Sequence, residues 1–254
     1  MTGPAIDPWV WLGGAILLAY TIEAITGFGS IVIALSLGAL MLPISEMLPV
    51  LVPLNVMMSG YLTWKHHRHI DWHRLKTLIL PLMLIGTVTG YLLAPWLGAN
   101  SLRLLFGMLV VWFAGRELWR LSGGHEAIPH SLNASRGITL AAGITHGLFA
   151  SGGPLLVHAL AGIRLDKGRT RATLLTVWFT LNLTLSLLYL FDGRLVASAG
   201  HLLWYLPLLV VGVLVGEYLH QRLNETHFRR AVYGVLLVTG LLLVLRAGTF
   251  FLAP

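Results

Sequence analysis

Two short stretches of this sequence place ionisable and hydroxyl side chains next to glycines, inside runs that are otherwise apolar. They read EAITGFGS at 23–30 and HGLFASGGP at 146–154. A buried glutamate or histidine is costly in apolar surroundings, so such a group usually has a function there. Glycines let the backbone leave helical geometry, and the N–H groups that this frees must find partners. The two stretches therefore predict helix breaks that can bind a small polar or charged solute.

A small oxyanion is the solute that these groups are best suited to bind. Backbone N–H groups at helix N-termini attract negative charge, and Ser and Asn side chains supply further donors. We expect the substrate-binding residues to be Gly27, Phe28, Gly29, Ser30, Asn55, Ser151, Gly152, Gly153, Trp178 and Asn182. The alternative is structural: the Ser and Asn side chains satisfy freed backbone groups, the glycines permit close packing, and Trp178 belongs to the core.

Three titratable side chains near these stretches are expected to exchange protons: Glu23, His146 and His158. Burial favours the neutral form of a carboxyl group, and histidine titrates near neutral pH. Glu23 lies one helical turn before Gly27, so its carboxylate would repel a bound anion unless it were protonated. This predicts coupling between proton and anion binding. The alternative is that each group is a hydrogen-bonded part of the structure.

The composition is that of a membrane protein. Of its 254 residues, 56% are hydrophobic and 11% are charged, whereas soluble domains carry about 25% charged residues. The sequence has no cysteine, which excludes disulfides and Cys-ligated metals, and we expect no metal or cofactor. It has no phosphate-binding glycine loop, so we expect no ATP-driven step. No Lys or Arg precedes the first apolar run, so no cleavable leader is expected.

Apolar blocks account for most of the chain, and we interpret them as helices of an all-α polytopic membrane protein. The blocks are 9–25, 28–42, 47–64, 76–97, 102–120, 137–150, 152–163, 172–190, 200–219 and 229–248. Six of them are long enough to span a membrane as a helix. The other four are shorter and form two pairs, 9–25 with 28–42 and 137–150 with 152–163, each broken at one of the stretches described above.

The two halves of the sequence share further features, which indicate an internal duplication. Pro81, Gly86 and Gly90 recur at a constant offset as Pro207, Gly212 and Gly216. Arg103 recurs in the same way as Arg229, and Asn55 and Asn182 occupy similar places after each break. We predict a first transmembrane repeat at 1–121, a cytoplasmic linker at 122–133, and a second transmembrane repeat at 134–254.

Basic residues predict how the broken pairs fold. The basic clusters lie at 65–76, 116–136, 164–171 and 222–230. If each broken pair enters the membrane and returns, all four clusters fall on one side, which must be cytoplasmic. Both termini then lie outside. Each half becomes a broken re-entrant hairpin plus three transmembrane helices, and the two repeats have inverted orientations, a recurrent plan in transporters.

These features resemble the TauE/SafE family of membrane transporters over essentially the whole chain. The similarity lies in the glycine-rich break that opens each half, the proline–glycine helix, and the polar loop HIDW at 69–72. The resemblance implies a multi-pass protein of the cytoplasmic (inner) membrane that moves sulfur-containing anions, such as sulfite or C2 sulfonates. It also implies export as the direction of transport.

We therefore expect a secondary transporter of small sulfur oxyanions, coupled to protons, with membrane lipids and the anion as partners. We expect no nucleic acid partner, and a monomer or a homodimer. A passive anion channel is the first alternative. The second is an intramembrane serine hydrolase with Ser151 as nucleophile, but His146 lies on the same arm, and Ser30 in the other half has no histidine nearby.

Overall fold

The computed structural model of the chain describes residues 6–26, 29–123, 131–160, 167–220 and 225–252. Within these ranges every regular element is helical and no strand occurs. The all-α class predicted from the sequence is therefore confirmed. Gly27 and Phe28, both predicted to bind substrate, lie outside the described residues, as does most of the predicted linker.

The α-helices of the described ranges are α1 Pro8–Thr26, α2 Ser30–Gly38, α3 Ile44–His66, α4 Trp72–Arg74, α5 Leu80–Leu93, α6 Ala99–Leu121, α7 Leu132–Phe149, α8 Gly153–Ala159, α9 Lys167–Phe191, α10 Arg194–Ala197, α11 Ala199–His220 and α12 Glu225–Leu252. A π-helical turn at Leu75–Ile79 joins α4 to α5. The two predicted breaks separate α1 from α2 and α7 from α8.

Six helical stretches in the described part of the chain are long and apolar enough to span a membrane. They are Pro8–Ile25, Ile44–His69, Trp72–Trp96, Gly168–Phe191, Ala199–Leu219 and His227–Thr249. The chain is thus a multi-pass membrane protein. The set differs from the predicted one at two helices: α1 qualifies, although its block was expected to be short, and the 23-residue α6 does not qualify.

One compact unit consists of Met1–Leu51, Gly98–Gly124 and Ala199–Pro254. In it α1 packs against α2 and α11, and α6 packs against α12. Two glycines of α11 permit its close contact with α1. A Cβ at Gly212 would press on the Leu17 carbonyl, and one at Gly216 would collide with the Thr21 carbonyl. Close approach of this kind is what small residues one turn apart allow between membrane helices.

The other compact unit consists of Val52–Leu97 and His125–Ser198. Here α5 packs along α7, and α7 packs against α8. A Cβ at Gly86 would collide with the Leu140 carbonyl, and one at Gly90 would collide with the Ile144 carbonyl. The core includes Leu75, Ile79, Met83, Ala142, Leu156, Val177 and Leu181.

The helix contacts inside the two units correspond to one another. In each unit, two glycines one turn apart on the proline–glycine helix meet two carbonyls one turn apart on the helix before a break. The proline–glycine helix of each predicted repeat therefore packs on the broken arm of the other repeat. Each unit takes helices from both halves of the sequence, so the compact units do not coincide with the predicted repeats, and the duplication stays a prediction.

Candidate functional site

At the first break, the Glu23 carboxylate hydrogen-bonds a backbone N–H group at the start of the next helix. Gly29 has φ +102°, a left-handed conformation that glycine adopts without strain, and α2 begins at the next residue. The Ser30 N–H donates to Glu23 Oε2 over 3.0 Å. Glu23 is 2% exposed and Ser30 is 1% exposed. The Glu23 side chain thus lies at the N-terminus of α2, where the N–H groups of a helix favour negative charge.

A cavity in the same unit borders this break. It has about 310 Å³ of empty space, part of it open to the outside of the protein. Its lining includes Gly29, Phe113, Arg229 and Tyr233, and Arg229 is the charged residue among those that line it. Neither Arg229 nor Tyr233 was predicted from the sequence to belong to a site. The signal for Arg229 was its recurrence with Arg103, which was interpreted as part of the duplication.

At the second break, His146 accepts hydrogen bonds from backbone N–H groups. Ala150 has φ 50°, a left-handed conformation that only a few non-glycine residues adopt, and its N–H donates to the His146 carbonyl over 2.6 Å. The Gly152 N–H donates to His146 Nδ1 over 3.5 Å. Since Nδ1 accepts this hydrogen bond, a neutral His146 carries its proton on Nε2.

The His146 ring is held between the break and α9. It stacks on Trp178, with ring centroids 5.9 Å apart and an interplanar angle of 15°. Gly153 lies against the same indole, because a Cβ there would be 3.3 Å from Trp178 Cζ2. One turn further along α9, Asn182 Nδ2 donates to Asn55 Oδ1 over 2.8 Å. Asn182 also interacts with the His146 side chain.

We call His146, Ser151, Trp178, Asn182 and Asn55 the second-break cluster. Its polar members are almost fully buried: His146 is 0% exposed, Asn182 1%, Ser151 4% and Asn55 4%. Ser151 Oγ is a buried polar atom without a hydrogen-bond partner, whereas the His146 and Asn182 side chains interact with each other. A buried polar atom without a partner is unfavourable by about 1–3 kcal/mol, so it indicates a group that a ligand or water satisfies.

The structure brings most of the predicted site residues into two groups. Glu23, Gly29 and Ser30 lie together at the first break, and the second-break cluster takes up Asn55 from the other half of the sequence. The contact between the two asparagines was not predicted. His158 lies half-buried, one residue before the end of α8.

Neither group offers a metal site. Across the described residues, no set of three or more His, Asp or Glu side chains is placed to hold a metal ion. The second-break cluster contains hydrogen-bonding side chains without a fixed charge. Such a set is chemically suited to binding a small oxyanion reversibly, because its donors can satisfy oxygen atoms without a permanent ion pair.

Comparison with known proteins gives a family match over most of the chain. Residues 12–243 match the sequence profile of a family described as "Sulfite exporter TauE/SafE". The chain is also similar to the "Probable inner membrane transporter protein TsaS" of Comamonas testosteroni, with 25% identity over 194 residues, which cover 75% of this chain and 77% of that protein. No solved structure gives a significant match.

Proposed function

Because the chain belongs to the TauE/SafE sulfite exporter family, we propose that it exports sulfite or a C2 sulfonate across the cytoplasmic membrane in a proton-coupled cycle. The family assignment makes the chain a membrane transporter and not an intramembrane hydrolase. The identity of the anion, the direction of transport and the coupling to protons are the parts that we propose.

The observation that carries this proposal is the buried, uncharged second-break cluster, in which Ser151 Oγ has no hydrogen-bond partner. Ser151 supplies a hydroxyl donor and His146 an imidazole donor, and both side chains are buried. The oxygens of a sulfite or sulfonate group are hydrogen-bond acceptors that such donors can satisfy. The Trp178 ring, stacked on His146, forms an apolar wall beside these donors.

The Glu23 carboxylate at the first break supports proton coupling. It accepts the hydrogen bond from the Ser30 N–H, in a position that a substrate oxyanion would also favour. An anion bound at this N-terminus and the Glu23 carboxylate would repel each other by several kcal/mol, even at an effective dielectric of about 20. Protonation of Glu23 removes this repulsion, so the binding of a proton and of an anion strengthen each other.

The matching glycine contacts of the two units support the inverted-repeat arrangement. In that arrangement the basic clusters lie in the cytoplasm and both termini lie outside. The hydrogen bond between Asn55 and Asn182 agrees with it, because these residues occupy similar places in the two halves.

Thermal stabilisation of the purified protein tests the substrate class, since a bound ligand raises stability by mass action. We expect sulfite and a C2 sulfonate to raise the unfolding temperature, and acetate and phosphate to do so less. Ser151→Ala should weaken the sulfite effect. Ser198→Ala, which changes a half-buried serine between α10 and α11, is the control and should behave as the wild type.

Counterflow in proteoliposomes tests whether the protein is a carrier. Sulfite loaded inside the vesicles should accelerate entry of labelled sulfite, because a carrier returns faster when it is loaded. Equal entry with and without internal sulfite would instead identify a passive anion channel. Stabilisation by phosphate or acetate but not by sulfite or sulfonates would contradict the proposed substrate class.

A further inference from the structure

One face of α12 forms a wall of the cavity beside the first break. Arg229, Val232, Tyr233 and Leu236 line the cavity. Residues at spacings of this kind, three, four and seven positions after the first, lie on one side of a helix. Arg229 is the first of them and lies near the N-terminal end of α12. The wall is therefore apolar except for a guanidinium group and one phenol hydroxyl.

The first break forms another wall of this cavity and leaves space in it. Gly29, Val32 and Ile33 line the cavity at the start of α2. A Cβ at Gly29 would meet its nearest atom, Ile33 Cδ1, only at 3.9 Å. The next residue, Ser30, donates its N–H to the Glu23 carboxylate. A ligand in the cavity would therefore lie beside the break at which we propose proton coupling.

Arg229 and Tyr233 form a pair of hydrogen-bond donors with a defined position. The Tyr233 ring is 4% exposed and packs edge-on against Phe113, with ring centroids 5.5 Å apart and an interplanar angle of 86°. The Arg229 side chain hydrogen-bonds the Tyr233 side chain. A guanidinium group has five N–H donors and can bond several acceptors at once, and a phenol oxygen that accepts a hydrogen bond can still donate its own proton.

The charge in this cavity favours anions. Glu117 of α6 forms ion pairs with its neighbours on the same helix, Arg116 Nη1 at 3.3 Å and Arg120 Nη2 at 3.4 Å. Among the described residues that line the cavity, Arg229 is the charged side chain. Apolar walls lower the local dielectric, and they thereby strengthen the attraction of a guanidinium group for an anion and its repulsion of a cation.

We propose that Arg229 and Tyr233 bind the transported anion in a subsite at the first break, and that the charge of Arg229 makes the transporter selective for anions. The inference rests on the proposed function and adds the fixed positive charge that the second-break cluster lacks. Arg229 belongs to the basic cluster at 222–230, which the proposed topology places in the cytoplasm. For an exporter, this subsite is where the anion first binds.

Two adjacent arginines provide a matched test of this subsite. Arg229→Gln and Arg230→Gln remove the same charge, but Arg230 is exposed and donates to the Leu121 carbonyl. In thermal-shift titrations we expect Arg229→Gln to bind sulfite about tenfold or more weakly than the wild type, because it loses charged hydrogen bonds to the anion. Arg230→Gln should bind as the wild type does. Arg229→Lys keeps the charge but not the planar fork, and should have an intermediate affinity.

Equal sulfite affinities of Arg229→Gln and Arg230→Gln would overturn the inference. A residue that serves only the packing of α12 would change the unfolding temperature without ligand, but not the affinity for sulfite. Failure of the wild type to bind sulfite and C2 sulfonates would instead contradict the proposed function, and the inference with it.

A protection experiment decides the question if Arg229→Gln fails to fold. Val232 lines the cavity, and Val232→Cys would be the single thiol of the cysteine-free chain. Ethanesulfonate, which does not react with thiol reagents, should slow modification of this cysteine about tenfold at about ten times its Kd, because only unoccupied protein reacts. Ala231→Cys, at the exposed neighbouring position, is the control and should react at an unchanged rate. An unchanged rate at Val232→Cys would overturn the inference.

Discussion

Asn182 of α9 donates a hydrogen bond of 2.8 Å to Asn55 of α3, across 127 positions of the sequence. The two residues occupy similar places in the two halves, and both are buried. Their separation differs by one from the offset of 126 that relates Pro81 to Pro207, and a two-fold relation between repeats would bring residues near its axis close to their counterparts. The pair thus supports the duplication and also fixes the orientation of a side chain in the second-break cluster.

Breaking this pair should destabilise the protein. Asn55→Ala and Asn182→Ala each leave a buried amide without its partner, so we expect each to lower the free energy of unfolding by about 1–3 kcal/mol. The double variant should lose less than the two single losses combined, since the second change removes a group that is already unsatisfied. Denaturation in detergent measures the three values. Strict additivity would show that the two amides do not interact.

The glycine contacts between α5 and α7 predict a sharp difference between two glycines of one helix. A Cβ at Gly147 would collide with the Thr87 carbonyl, whereas one at Gly137 meets nothing within 4 Å. Gly147→Ala should therefore separate the helices and lower the unfolding temperature strongly. Gly137→Ala should raise it slightly, because alanine favours a helix over glycine by about 1 kcal/mol. Comparable unfolding temperatures for the two variants would contradict the close packing of α5 on α7.

Exchanging glycine and alanine at the two helix breaks should change the stability of the protein in opposite directions. Gly29 and Ala150 both have a left-handed backbone, which is unfavourable for a residue with a Cβ by about 1–2 kcal/mol. Gly29→Ala should therefore lower the free energy of unfolding, and Ala150→Gly should raise it. Steric crowding does not contribute to the effect of Gly29→Ala, since the nearest atom to a Cβ at Gly29 is 3.9 Å away. Destabilisation by Ala150→Gly would mean that another conformation is populated at the second break.

Sequence reasoning located both breaks because glycines beside an ionisable group are costly inside an apolar membrane helix, and such a combination is rare in an uninterrupted one. It could not decide which residue becomes left-handed. Glycine is the usual residue in that conformation, but at the second break the left-handed residue is Ala150, which the His146 carbonyl holds through a hydrogen bond. Gly153 serves a different purpose, namely contact with the Trp178 ring.

Helix partners could not be predicted from the sequence. Paired glycines such as those of α5 and α11 permit close helix contact, but their spacing alone does not identify the helix that packs against them. The meeting of Asn55 with Asn182, and the cavity beside Gly29 and Arg229, depend on such tertiary pairings. Membrane-spanning length was likewise misjudged for α1, since a break after Thr26 leaves a helix of 19 residues before it.

Topology can be tested because the chain has no cysteine. Arg68 and Ala99 are both exposed, and the inverted-repeat arrangement places Arg68 in the cytoplasm and Ala99 outside. An impermeant thiol reagent added to intact cells should label the Ala99→Cys variant and not the Arg68→Cys variant. Disrupting the cells should make both reactive. Strong labelling of Arg68→Cys in intact cells would rule out the arrangement.

Coupling to protons predicts the behaviour of Glu23→Gln. Glutamine mimics the protonated carboxyl group, and its side-chain oxygen can still accept the Ser30 N–H, so the first break should keep its structure. If the anion binds at the first break, the Glu23 carboxylate of the wild type repels it, and anion affinity should rise as the pH falls and Glu23 takes up a proton. In Glu23→Gln this repulsion is absent at every pH.

We therefore expect Glu23→Gln to bind sulfite with an affinity that depends less on pH, and to lose transport driven by a proton gradient while it retains counterflow. Thermal-shift titrations at several pH values, together with proteoliposome assays, measure both properties. Glu46→Gln removes an exposed glutamate from the first turn of α3 and serves as the matched control. A Glu23→Gln protein that keeps both the wild-type pH profile and proton-driven transport would remove Glu23 from the mechanism. His146, which closes the second break as Glu23 closes the first, would then be the residue to test for proton coupling.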